Sequence, residues 1–165
     1  MILVLAAYVV SLSTQQSVLV RAAVEGDASG IAECMAELGY GTPPDLVRKQ
    51  IHTWSGSVTD VVLVATTTDQ PAFILGATSV HIIPLLHQPG NLARLTSLAV
   101  RSSAQRLGVG AALVRAAESF AQERDCPRIE VTSGDARHGA HAFYEEQGYK
   151  LDSRRFLKRF PPAGG

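Results

Sequence analysis

Cysteine is scarce in this chain. Of its 165 residues only Cys34 and Cys126 are cysteines, far apart and without Cys or His partners at metal-ligand spacing. They form neither a zinc pattern nor a disulfide framework, and both read as reduced thiols of a cytoplasmic protein. Charge is thin as well. Lys+Arg and Asp+Glu number 15 each and the formal net charge is zero, which excludes broad electrostatic capture of nucleic acid. With 46% hydrophobic and 18% charged residues, the chain is too apolar for intrinsic disorder. No apolar run approaches the roughly 20 residues that cross a bilayer. The apolar opening MILVLAAYVV has no Lys/Arg flank, and no small-residue cleavage motif follows it, so it is not expected to act as a secretory leader. Repeats and low-complexity blocks are missing too.

What is present suits a single domain, by the prior of roughly 100–200 residues per domain. A chain of this size buries about 70% of its unfolded surface and needs no metal or disulfide to hold its core. The expected division is an apolar extension and polar linker over 1–17, then a folded domain over 18–165. Three readings of the extension stand: an added edge strand, a partner-binding arm, or a start placed too early. The segment 18–24 suits a strand. Asp27 is placed to cap a helix, along which Ile31, Cys34, Met35 and Leu38 follow helical spacing. Pro43 and Pro44 open a second helix carrying Leu46, Val47, Ile51 and Trp54. Strands are expected over 60–67, 73–86 and 92–100, with turns between. A long helix ending near Arg124 buries Leu113, Ala116, Ala117 and Phe120. A strand over 128–133, a helix over 138–147 closed by Gly148, and a final strand region over 149–160 complete the order. The result is β-α-α-β-β-β-α-β-α-β, an α+β domain with helices layered on a mixed sheet.

Chemistry concentrates in Gln105-Arg106-Leu107-Gly108-Val109-Gly110-Ala111, a turn between a strand and a helix. Such a turn aims backbone N–H groups outward at the positive end of the helix dipole, where anionic phosphate is favoured. Glycine lets the backbone approach the phosphate, and Arg106 can add a cation. No Gly-Lys-Ser/Thr follows, so this is no nucleoside-triphosphate loop, and the dinucleotide pattern of three glycines is broken by Leu113.

Two blocks in order carry a resemblance. Leu98-Ala99-Val100 precedes Gln105-x-x-Gly108-x-Gly110, and Arg137-His138-Gly139-Ala140-His141-Ala142-Phe143-Tyr144 precedes Gly148-Tyr149. Together they resemble the GNAT superfamily of acyl-CoA-dependent N-acyltransferases. The similarity runs over nearly the whole chain beyond residue 17. It implies a mostly antiparallel sheet of about six to seven strands with a splayed parallel pair, and about four helices. It implies acetyl-CoA as co-substrate and no metal. Backbone groups of Leu98, Ala99 and Val100 would pair with the pantetheine arm. Gln105, Arg106, Leu107, Gly108, Val109, Gly110 and Ala111 would hold the pyrophosphate, and Arg137 would contact CoA. The amine would attack the thioester directly, and an N–H near Leu98 would stabilise the oxyanion. Tyr144 would protonate the departing thiolate, a match for a tyrosine near pKa ~10 and a thiol near ~8.5.

The general base departs from the family pattern. Many relatives carry a carboxylate near position 97, whereas this chain reads Arg94-Leu95-Thr96-Ser97. An alkylammonium of pKa ~10 is only about 0.1% neutral at pH 7, so something must take its proton. Glu130, His81, or water held by Thr96 and Ser97 are the candidates. Tyr40, His87 and His141 are candidate substrate contacts. The Arg137-to-Tyr144 block looks most like members that acetylate small amines, such as aminoalkylphosphonates and aminoglycosides. A protein or peptide acetyltransferase and a non-catalytic acyl-CoA-binding module are the alternatives. No nucleic-acid or membrane partner is expected, and an exposed strand edge at either terminus suits a homodimer.

Overall fold

The computed structural model describes residues 8–12, 16–153 and 155–161, with 8–12 and 16 given by their backbone alone. The opening MILVLAA and residues 13–15 of the polar stretch lie outside the described residues. The chain divides into two compact units, Met1–Thr132 and Ser133–Gly165.

The first unit is built on a six-stranded sheet: β1 (Tyr8–Leu12), β2 (Gln16–Ala22), β3 (Asp60–Thr67), β4 (Gly76–Pro84), β5 (Asn91–Val100) and β6 (Arg128–Val131). Spatial order follows chain order. Neighbours are antiparallel except β5 and β6, which run parallel. The exception has a plain cause. Short turns reverse the chain between β3, β4 and β5, whereas α3 (Val109–Gln122) carries it back to start β6. A parallel return needs such a crossover.

Period-2 alternation separates two faces. On one, Val18, Val20, Leu63 and Ala65 pack with Val109, Ala112, Leu113 and Ala116 of α3. On the other, Val64, Ala77 and Ala99 pack with α1 (Ala28–Glu37) and α2 (Pro44–Trp54) through Ala28, Ile31, Cys34, Val47 and Ile51. Each large buried side chain contributes about 1.5–3 kcal/mol of hydrophobic stabilisation. Gly76 sets the spacing on the α3 side. A Cβ there would lie 2.8 Å from the Ala99 carbonyl oxygen and 3.1 Å from Leu113 Cδ1.

Three local expectations are corrected. Asp27 stands at the N-cap position of α1 without a side-chain cap bond. Its carboxylate is taken instead by Arg21, at 2.6 and 2.9 Å, and by the Val24 N–H at 2.8 Å. The strand expected from Phe73 begins at Gly76. Phe73 lies in the preceding turn beneath the Arg101 guanidinium, 4.7 Å from its ring centroid, and Arg101 Nε donates to the Ile74 carbonyl at 2.6 Å. β6 ends at Val131, two residues before the expected Ser133.

The second unit holds α4 (His138–Glu146), closed by Gly148 in the left-handed conformation at φ +88°. The strand expected over 149–160 does not form among the described residues. A strand exists only where a second strand completes its ladder, and alternation in KLDSRRFLKRF cannot supply one. Phe156, Leu157 and Phe160 are accordingly exposed.

Candidate active site

The decisive geometry lies along β5. Its pairing with β6 runs from Leu92↔Arg128 to Leu95↔Val131 and stops there. β5 continues to Val100, paired only with β4 through Thr78↔Leu98, Ala77↔Ala99 and Gly76↔Val100. One edge of Leu98, Ala99 and Val100 thus lacks a β6 partner, while the opposite edge is held in the sheet. Thr78 Oγ1 donates to the Ser97 carbonyl at 2.7 Å, tightening the start of this stretch.

Past Val100 the chain enters the turn singled out from sequence. Gln105, Arg106, Leu107 and Gly108 are exposed, and Val109 dives into the core. Gln105 Nε2 reaches back to the Val100 carbonyl at 3.4 Å. Arg106 and Gly108 take positive φ, at 61° and 79°. Only glycine adopts the left-handed region without a Cβ penalty, and Gly108 uses it to turn the chain into α3. The Ala112 N–H bonds the Gly108 carbonyl at 2.9 Å. The N–H groups of Val109, Gly110 and Ala111 therefore belong to the open end of the helix, which has no intrahelical acceptors to offer. No acidic residue sits in that first turn. Behind the turn, Arg101 pairs with Glu33, and the Ser102 N–H donates to Glu37, tying the segment to α1.

The α1/α2 face of the sheet is polar where β4, β5 and β6 meet. A bulge at Ser79/Val80 pairs Ser79 with Ser97 and Val80 with Leu95, leaving Thr96 as the extra residue. Three hydroxyls gather there: Ser79 Oγ lies 2.8 Å from Thr96 Oγ1 and 2.6 Å from Ser97 Oγ. Two residues along β4, His81 Nδ1 lies 2.7 Å from Asp60 Oδ1, and the imidazole meets the Trp54 ring edge-on at 4.8 Å between centroids. Asp60 Oδ2 also accepts from Ser57 Oγ at 2.9 Å and Thr59 Oγ1 at 2.7 Å. Burial pushes the Asp60 carboxyl up, but the hydrogen bonds from His81, Thr59 and Ser57 outweigh it and hold the pKa below the usual value. Across from His81 in register stands Arg94, then Glu130. Glu130 is salt-bridged to Arg94 at 2.9 Å and to Arg128 at 3.3 Å.

In the second unit, Tyr144 packs between Phe143 and Tyr149, with ring centroids 5.2 and 5.6 Å away. Burial pushes its phenol up to about 12, against a smaller downward pull from the Arg137 charge. His141 lies edge-on to His138 at 6.2 Å, and Arg137 is exposed at the start of α4.

The other candidates fall elsewhere in the first unit. Tyr40 is exposed between α1 and α2. His87 is exposed in the β4–β5 turn, beyond the Pro84↔Asn91 pair. It lies seven residues beyond Val80 of the bulge, past the end of β4 at Pro84. The structure therefore does not bring His87 to the end of β5 where pairing with β6 stops. Two participants were not singled out from sequence: Asp60, the partner of His81, and Ser79, the centre of the hydroxyl cluster. Their signal is the strand register, which no local motif encodes. Among the described residues, no cluster of His, Cys, Asp and Glu could hold a metal ion, and no helix is long and apolar enough to cross a membrane.

None of the curated proteins matches the chain. Among solved structures, a transcriptional regulator from Bacillus halodurans C-125 is similar at 27% identity and TM-score 0.77, covering 87% of this chain and 99% of its own. An aminoglycoside N-acetyltransferase in complex with CoA shares the fold at 12% identity and TM-score 0.77, over 91% of this chain and 99% of its own. Glucosamine-6-phosphate N-acetyltransferase from Arabidopsis thaliana does so at 18% identity and TM-score 0.73, over 87% and 99%. The family model for GNAT acetyltransferases matches residues 31–149, spanning the freed strand edge, the glycine turn and the Tyr144 block. The chain belongs to the acetyltransferase (GNAT) family, and it is an acetyl-CoA-dependent N-acetyltransferase.

Proposed function

We propose that the protein acetylates the primary amine of a small molecule. The observation that carries the proposal is the register of β5, which outruns β6 by the five residues from Thr96 to Val100 and leads into the Gly108 turn. An extended amide-bearing arm such as pantetheine pairs with a half-free strand edge as an added strand would. Its diphosphate is suited to the N–H groups from Arg106 to Ala111 and the positive end of α3. Acetyl-CoA would supply the activated acyl group, and Arg137 is assigned to contact with CoA.

The remaining roles follow from chemistry. Attack on the thioester carbonyl places negative charge on its oxygen, which the N–H near Leu98 is assigned to stabilise. Tyr144 is assigned the proton that the departing thiolate needs. Its raised pKa, about 12, keeps it protonated throughout the neutral range. His81 is assigned to accept the ammonium proton. It stands at the register position of Arg94, one step before the last β5–β6 pair. Glu130 is the weaker candidate, because both of its carboxylate oxygens are already engaged, Oε2 by Arg94 and Oε1 by Arg128. A small acceptor is favoured by the Arg137-to-Tyr144 block and by fold neighbours that act on aminoglycosides and glucosamine 6-phosphate. Tyr40 and His141 stay assigned to acceptor contact.

The test is thiol release from acetyl-CoA against aminoglycosides, amino sugars, aminoalkylphosphonates, polyamines, amino acids and short peptides, with Tyr144→Phe alongside. Turnover of one small amine, reduced about 10²–10⁴-fold in the variant as removal of a general acid would do, is the expected result. Turnover of peptides alone would overturn the small-amine reading.

A further inference from the structure

We infer that Asp60 is a positioning residue for catalysis: it fixes the His81 imidazole in the tautomer protonated at Nδ1 and presents Nε2 to the acceptor amine. The inference rests on the assignment of His81 as the proton acceptor and adds what makes that assignment workable.

The contact geometry leaves little choice of tautomer. Asp60 Oδ1 is 2.7 Å from Nδ1, and an ionised carboxylate can only accept. Its other oxygen is occupied by the hydroxyls of Ser57 and Thr59 at 2.9 and 2.7 Å. The Asp60 N–H in turn bonds Ser57 Oγ at 3.1 Å, so the carboxylate is fixed before it meets the ring. Nδ1 must therefore carry the hydrogen, which leaves Nε2 with its lone pair. Among the described residues Nε2 has no hydrogen-bond partner, and the side chain keeps 20% of its surface exposed. Trp54, at the end of α2, meets the ring edge-on and restrains its rotation. Held by a carboxylate and an aromatic ring from two different elements, the imidazole is prepared for one task.

Its position gives that task a place. His81 shares the α1/α2 face with the Ser79–Thr96–Ser97 hydroxyls, two residues along the same strand and directly at the start of the freed β5 edge. The proton balance is simple. An N–H bond of the ammonium breaks, its hydrogen bonds to Nε2, and the nitrogen keeps the electron pair that then attacks the acyl carbon. The imidazolium remains stabilised by Asp60 through Nδ1–H and afterwards returns its proton to water. Four charged groups surround this step: Asp60 of β3, bonded to His81; Arg94 of β5, opposite it in register; Glu130 of β6, paired to Arg94; and Arg128, paired to Glu130.

The experiment compares Asp60→Asn, Asp60→Ala and His81→Gln on the intact chain, with nitrogen-15 NMR of the His81 ring as a direct readout. Asp60→Asn should lower kcat about 10–10³-fold with the KM for acetyl-CoA unchanged. The ring should change from a single Nδ1–H tautomer to a mixture. Asp60→Ala, which removes hydrogen-bond capacity altogether, controls for fold through its circular dichroism and thermal midpoint. If His81→Gln abolishes turnover while Asp60→Asn keeps the wild-type kcat and a single Nδ1–H tautomer, the positioning role is overturned and His81 stands. If His81→Gln itself turns over at the wild-type rate, the assignment of His81 as proton acceptor fails instead. A wild-type ring with its proton on Nε2 overturns the inference by itself.

Discussion

The two faces of the central sheet differ in kind. The α3 face is packed with aliphatic side chains, Leu63, Ala65, Leu113 and Ala116 among them, and the buried polar side chains its strands add are the threonines Thr67 and Thr78. The α1/α2 face begins in the same way around Val64 and Ala77. Farther along the strands it changes to hydroxyls on β4 and β5, the Asp60–His81 pair across β3 and β4, and the Arg94–Glu130–Arg128 network of β5 and β6. Both faces belong to the same strands, so period-2 alternation alone keeps them apart. A face that only holds the fold can be almost wholly apolar, whereas the face proposed to receive a charged amine must keep polar groups at its open end.

That contrast can be broken by substitution. The largest effect is expected from Leu113→Ala on the α3 face, where the side chain is fully buried. The cavity should cost about 2–5 kcal/mol of unfolding free energy, measured by denaturant titration, with kcat per folded molecule unchanged. A large loss of kcat in the folded variant would show that the two faces are not separable.

The next effect belongs to the Arg21–Asp27 pair at the start of α1. Burial raises the Asp27 carboxyl, but the Arg21 and Val24 hydrogen bonds prevail and hold its pKa below the usual value. A lowered carboxylate pKa stabilises the fold at pH above the ordinary Asp range. That contribution disappears as pH falls through the folded pKa. Asp27→Asn should therefore lose about 2 kcal/mol at pH 7, and the wild-type and variant stability curves should converge in acid.

Gly108→Ala sharpens the comparison at the strand end that neither face controls. A Cβ at φ 79° should cost about 1–2 kcal/mol and raise the KM for acetyl-CoA more than it lowers kcat. Ser79→Ala is expected to be the mildest. Thr96 and Ser97 lose their common partner, so stability should change by less than about 1 kcal/mol, with kcat lowered a few-fold. An unchanged kcat would remove the hydroxyl cluster from the acceptor site.

Much of this was legible without coordinates. β3 forms over the residues expected from its β-branched run, because the seven consecutive apolar and threonine residues that follow Asp60 leave few other solutions. The face of α3 is as its spacing requires, with Leu113, Ala116, Ala117 and Phe120 all buried. The glycine turn was readable because a left-handed backbone beside a helix start demands glycine at a particular position. Asp60 was not readable as the partner of His81. The two are 21 residues apart in sequence and meet only because β3 and β4 pair in one register of several that apolar alternation would permit. The strand expected after Tyr149, which does not form among the described residues, failed for the same reason, since a ladder needs a second chain segment that no local pattern names.

The amino-acid order by itself determined the elements with their own internal hydrogen bonds or turn chemistry: the helices, the Gly108 turn and the family to which the chain belongs. Tertiary structure decided where β6 stops along β5, which residue the bulge at Ser79 admits, and which carboxylate holds His81. The physical reason is range. Helical periodicity and left-handed turns are satisfied within a few residues of chain. A strand edge left open, or a carboxylate brought to an imidazole, exists only after distant segments have been placed side by side.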